Sequence, residues 1–93
     1  MKNPFTRDLT RDIQRAERAE RILNDPDIKA ALDGMEETLF HNFKTSKYKD
    51  KDEREEIYRQ LQSCRVFREK FESWIREGKD ARLKLDNSTR RVV

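Results

Sequence analysis

Two glycines, two prolines, one cysteine, one histidine and one tryptophan are all the chain holds of those types in 93 residues. With so little Gly and Pro and hardly any β-branched runs, a strand-and-turn architecture is excluded and an all-α class follows. The lone Cys64 excludes an internal disulfide framework and makes a reducing cytosol the default, with the thiol buried on an apolar seam. His41 has no second His or Cys at ligand spacing, which removes a zinc site. No apolar run is long enough for a signal peptide or a membrane span, so neither secretion nor a membrane partner is expected. A glycine-rich phosphate loop and a nucleophile motif are missing as well. No catalytic residue, metal, cofactor or small-molecule substrate is therefore expected, and the chain reads as non-enzymatic.

Apolar residues are scarce too, at 33%, while 44% of the chain is charged. Globular domains run nearer 45–50% apolar, so the core must be thin. Disorder is contradicted by the ordered spacing of the apolar residues that do exist. One helical domain over residues 1–93 is expected, with an arm at 1–5 and a polar tail at 86–93. Lys and Arg number 22 against 19 acids, a net charge of +3. That small excess gives only slight support to a polyanion partner, and pairs such as Glu17/Arg21, Glu55/Arg59 and Glu72/Arg76 have helical salt-bridge spacing.

What is there is a central pair of helices. Asp25-Pro26 marks a start, since Asp accepts from free N–H groups and Pro lacks one that would go unpaired. Ile28, Leu32, Met35, Leu39 and Phe43 then fall within roughly 80° of one another at about 100° per residue. This predicts a helix over 26–44. A polar turn follows, and a second helix starts near Asp50, with Glu53 placed as in a capping box. Ile57, Leu61, Cys64, Phe71 and Ile75 form its seam, with Phe67 and Trp74 at one side. Gly78 is the expected stop, giving a helix over 51–77, because Gly tolerates the positive φ on which helices often end. Lys79 to Leu85 would add one further turn through Ala81 and Leu85.

The short link favours antiparallel packing of the two, with Met35 facing Cys64. At 1.5 Å per residue they would be about 27 and 39 Å long, so Trp74 and Ile75 lie on an overhang that needs cover.

Before this hairpin, Thr6 is positioned to cap a helix over 7–24. Leu9, Ile13, Ala16 and Leu23 share one of its faces. Arg7, Arg11, Arg15, Arg18 and Arg21 cluster opposite, within about 120°. Five guanidinium groups on one face suit phosphates, an acidic protein surface or plain water. Aromatic residues that would stack bases are not interleaved with them. Lys44, Lys47 and Lys49 in the turn offer a second possible phosphate contact, or simply solubility.

Two more features bear on packing. Ala31, Gly34 and Thr38 form a ridge of small side chains, suited to close approach by the first helix or by a copy of the hairpin. Arg68 falls mid-seam, where an unpaired charge would cost several kcal/mol. It must therefore snorkel out or meet Asp33, Glu36 or Glu37.

The runs Ile22-Leu-Asn-Asp-Pro-Asp-Ile-Lys-Ala-Ala-Leu32, Asp52-Glu-Arg-Glu-Glu-Ile-Tyr58 and Ile75-Arg-Glu-Gly-Lys-Asp-Ala81 resemble small helical proteins of tailed bacteriophages. The likeness spans residues 16–85, and the arginine-rich start and basic tail depart from it. It implies a phage-encoded accessory protein or virion component, placed in the host cytoplasm or the particle. Self-association or membership of a larger protein assembly is the first expectation. Nucleic-acid binding or packaging support through the arginine face is the second, and inhibition of a host factor the third.

Overall fold

The computed structural model describes residues 8–92, with side chains to residue 88. The arm, Thr6, Arg7 and Val93 lie outside the described residues. Three helices account for the fold: α1 (Leu9–Asn24), α2 (Pro26–Thr45) and α3 (Lys51–Val92). There is no strand among the described residues. The all-α class read from the sequence is the class observed.

Helix ends follow the local chemistry. Asp25 caps α2 as expected, its Oδ1 accepting from the N–H groups of Asp27 at 2.9 Å and Ile28 at 3.2 Å. Its extended ψ of 125° suits the residue before proline, so a single residue breaks α1 from α2. At the other end of α2, Ser46 Oγ donates to the Phe43 carbonyl at 2.6 Å and Thr45 Oγ1 to that of His41 at 3.0 Å. Those hydroxyls tie off orphan carbonyls without any glycine. The first helix starts later than expected. Asp8 accepts from the Arg11 N–H at 3.1 Å, as an N-terminal capping carboxylate does.

The largest departure is the end of α3. The helix does not stop at Gly78 but runs to Val92, for 42 residues, and takes in most of the segment expected to be a polar tail. No glycine among the described residues has positive φ, so Gly78 is not a terminator. Lys79 to Leu85 is rich in good helix formers, which carry the helix onward.

The chain divides into two compact units. One gathers the residues up to Ile22 with those from Phe71 onward, and the other is Leu23–Lys70. In the first unit the contact is made by small residues. Ala19 and Ala81 are 1% and 0% exposed, and Ala16 and Gly78 are also buried. A β-carbon built on Gly78 would overlap that of Ala16 and stand 3.2 Å from the Asp12 carbonyl oxygen. Gly78 is therefore there for helix-to-helix proximity. Around this seam Glu17 meets Arg82 at 3.1 Å, and Arg15 meets Glu77 at 3.4 Å.

In the second unit α2 meets the first part of α3 through larger side chains. Leu32, Ile57 and Cys64 are buried, whereas Met35 is 52% exposed and Phe40 50%. Arg54 donates to Ser46 beside the turn, and Arg68 reaches Asp33 and Glu36 farther along. Among the described residues no bulky side chain is fully enclosed. The thin core predicted by composition is what the fold contains.

The ridge of Ala31, Gly34 and Thr38 is open at its centre. No described atom lies within 4 Å of a β-carbon placed on Gly34. Close approach occurs instead at Ala16 and Ala19 against Gly78 and Ala81, where two pairs of small residues share the same three-residue spacing. Gly34→Ala should then raise stability by about 0.5–1 kcal/mol, because helix propensity improves and nothing is displaced. Chemical denaturation of the two proteins measures it, and a loss of stability would show that Gly34 is not open.

Candidate functional site

The arginine face of α1 is only partly available. Arg11, Arg18 and Arg21 are exposed, and Arg7 lies outside the described residues. Arg15 is drawn into the unit that α1 builds with the later part of α3. Its guanidinium carbon sits 5.0 Å from the Trp74 ring centroid, with Glu77 Oε2 at 3.4 Å and Asp12 Oδ1 at 3.6 Å. The reason lies in the helical wheel. The buried face is centred on Asp12, Ala16 and Ala19, and Arg15 is the arginine nearest that face.

Trp74 and Ile75 are half-buried, and Phe71 packs edge-on against Trp74 at 5.3 Å and 85°. Arg15 adds a cation over the indole, an attraction of about 0.5–2 kcal/mol depending on desolvation.

Arg68 resolves its mid-seam position by pairing. Its guanidinium donates to Asp33 at 3.0 Å and to Glu36 at 3.3 Å while a quarter of the side chain stays exposed. Burial works against the charge, but Glu36 and Asp33 outweigh it and hold the pKa above the ordinary arginine value. Asp33 and Glu36, two of the three carboxylates expected there, make this fork.

Two open cavities flank the seam of this unit. A groove of about 610 Å³ is lined by Gly34, Met35, Thr38, Leu39 and by Gln60, Ser63 and Cys64. Met35 and Cys64 both line it. Ala31 and Thr38 are exposed, so the ridge faces solvent here.

The second cavity, of about 460 Å³, lies at the turn. Phe43, Tyr48 and Tyr58 supply its rings, Lys51, Arg54 and Arg59 its cations, and Glu55 one carboxylate. Tyr48 is 87% exposed and Tyr58 53%. The Arg54 guanidinium carbon sits 4.4 Å from the Phe43 ring centroid, fixed by bonds to the Ser46 carbonyl and hydroxyl. Of the turn lysines, Lys44 is placed over Phe40 at 4.8 Å, while Lys47 and Lys49 stand exposed beside Tyr48.

The chain matches no known protein family, no curated protein and no solved structure. Its chemistry must therefore be read from its own side chains. No three His, Cys, Asp or Glu side chains converge into a metal site among the described residues. No described helix is long and apolar enough to cross a membrane.

Sequence reasoning singled out the turn lysines but passed over Tyr48, Tyr58 and Arg54. The signal was present in Lys47-Tyr48-Lys49 and Tyr58-Arg59, where rings and cations alternate. It was missed because Tyr58 belongs to the helix and Tyr48 to the loop, so only folding brings them to one cavity.

Arg59 also pairs with Glu56 at 2.8 Å on the exposed face. The hydrogen bond from Arg59, then that from Gln60, holds the Glu56 pKa below its ordinary value. A lowered folded-state pKa means the pair contributes above the unfolded carboxylate value and is lost as pH falls through the folded one. NMR titration of the Glu56 carboxyl should give a lower midpoint in the parent than in Arg59→Gln. Equal midpoints would show that the pair does not form in solution.

Proposed function

We infer that the protein is a non-enzymatic helical interaction protein that assembles with copies of itself or joins a larger protein assembly. The observation that carries this reading is the apolar surface its folding leaves open. Met35 is 52% exposed, Phe40 50%, Val66 62% and Leu83 63%, in a chain where apolar residues are few. Spending scarce hydrophobic side chains on the surface makes sense where another molecule covers them. The body is best read as an antiparallel pair of α2 with the first part of α3, and the contacts of Arg54 with Ser46 and Arg68 with Asp33 and Glu36 support that. The resemblance to tailed-phage proteins suggests the setting, an accessory or virion protein of a head or head–tail assembly.

Mass in solution tests the self-association arm. Sedimentation from micromolar to millimolar concentration should show mass rising above the monomer. A constant monomer that also leaves the 610 Å³ groove unprotected in a mixture with virion proteins would reject the reading. Nucleic-acid binding through the α1 arginines is the weaker alternative, because Arg15 is already committed to Trp74 and Glu77. Three exposed guanidinium groups remain on the described part of that face.

A further inference from the structure

The turn cavity combines features that the α1 face lacks. It has open rings, cations beside them, and one ring–cation stack held rigid from below. We propose that this cavity is a binding site for unpaired nucleotides of single-stranded nucleic acid, with bases stacking on Tyr48 and Tyr58 and phosphates on the neighbouring lysines. The proposal is separate from the assembly reading and uses a different part of the surface.

Exposure is the first argument. A tyrosine ring 87% exposed contributes almost nothing to the fold, yet Tyr48 stands beside a second half-open ring, Tyr58, on one cavity. Aromatic faces paired in this way are the sequence-tolerant platform on which successive bases stack. Rigidity is the second. Arg54 is held by the Phe43 ring and by two Ser46 oxygens, so a guanidinium is already fixed in place on the cavity wall. Size is the third, since about 460 Å³ lies in the range that takes a nucleotide-sized group.

Charge is the fourth argument and sets the strength. Between Phe43 and Arg59 six cations face five carboxylates, so the local excess is slight. Lys47 and Lys49 are nevertheless exposed chain neighbours of Tyr48, and Lys51 lines the cavity. Arg59 is held by Glu56 only at the surface, where an ion pair is readily exchanged for a phosphate. Binding is thus weak and non-specific, with a Kd of about 10⁻⁴ to 10⁻⁶ M. Duplex is disfavoured because its bases are already stacked and cannot offer their faces to Tyr48 and Tyr58.

Fluorescence anisotropy with end-labelled oligonucleotides of about ten nucleotides, poly-dT and poly-dA, provides the test. The full chain should bind both single strands and bind a duplex of equal length more weakly. With the three lysines on phosphates, log K should fall against log salt with a slope of about −2. Tyr48→Ala and Tyr58→Ala should each weaken binding at least about five-fold, whereas Tyr58→Phe keeps the ring and the affinity. Lys47→Gln, Lys49→Gln and Lys51→Gln together should flatten the salt dependence, and Arg11→Gln with Arg18→Gln should leave it unchanged. Circular dichroism confirms that each variant is folded. No anisotropy change at low salt overturns the proposal, as does equal affinity for duplex or indifference to both Tyr→Ala changes. Displacement of the oligonucleotide by polyglutamate at matched charge would overturn it in favour of an acidic protein partner.

Discussion

Gly78→Ala should destabilise the protein by about 1–3 kcal/mol, although alanine is the better helix former by about 1 kcal/mol. The opposing term is steric. The new methyl falls on the Ala16 β-carbon, with the Ala16 α-carbon at 3.5 Å and the Asp12 carbonyl oxygen at 3.2 Å. Two of those atoms are backbone, so no side-chain rotation relieves the crowding and α1 itself must move. A packed interior transmits such a shift instead of absorbing it. Equilibrium denaturation measures the loss. Adding Ala16→Gly returns the missing space, so the double variant should recover part of the stability despite the helix-propensity penalty of a glycine at position 16. That coupling distinguishes a clash from a general intolerance at position 78. A stabilised Gly78→Ala protein would show that the two helices do not approach as described.

Arg15→Ala should cost about 1–3 kcal/mol. Three contacts go at once: the cation over Trp74, the bond to Glu77 and the charge beside Asp12, which is only 4% exposed. Each carboxylate and the indole keep other contacts, so the change loosens the seam without emptying it. Trp74 is the only tryptophan, and its emission should shift to the red as the ring gains water. Arg18→Ala, on the exposed face, should stay within about 0.5 kcal/mol of the parent and leave the emission alone. Arg15→Lys should recover part of the loss, since an ammonium keeps the charge but neither lies flat on the indole nor forks between carboxylates.

These two positions also show how far the sequence could be read. The all-α class, the Asp25 cap, the burial of Cys64 and the open, thin core follow from residue spacing and composition. Helix periodicity and local capping are properties of neighbours in the chain, so they are visible there. The candidate carboxylates for Arg68 were legible for the same reason, as a charge in an apolar seam demands compensation nearby. What was misplaced depends on partners distant in sequence. A glycine in a helical stretch signals either an end or a close crossing, and Gly78 looks the same in both cases. Ala16-x-x-Ala19 and Gly78-x-x-Ala81 share their spacing, but so do Ala31 and Gly34, where a β-carbon on Gly34 would meet no described atom within 4 Å. Only the three-dimensional arrangement separates them. The arginine face was likewise drawn on an isolated wheel, and the wheel did not show which edge α3 would claim.

The division into two units bears on the order in which the molecule forms. Within Leu23–Lys70, Arg54 bonds to Ser46 only eight residues away, while Arg15 and Glu77 are separated by 62 and Glu17 and Arg82 by 65. Short loops close at lower entropic cost and sooner than long ones. On the ribosome, α1 is made some sixty residues before the residues it pairs with. Until Gly78 and Ala81 emerge its alanine face is bare, and crowding it through position 78 should hasten unfolding far more than it slows folding.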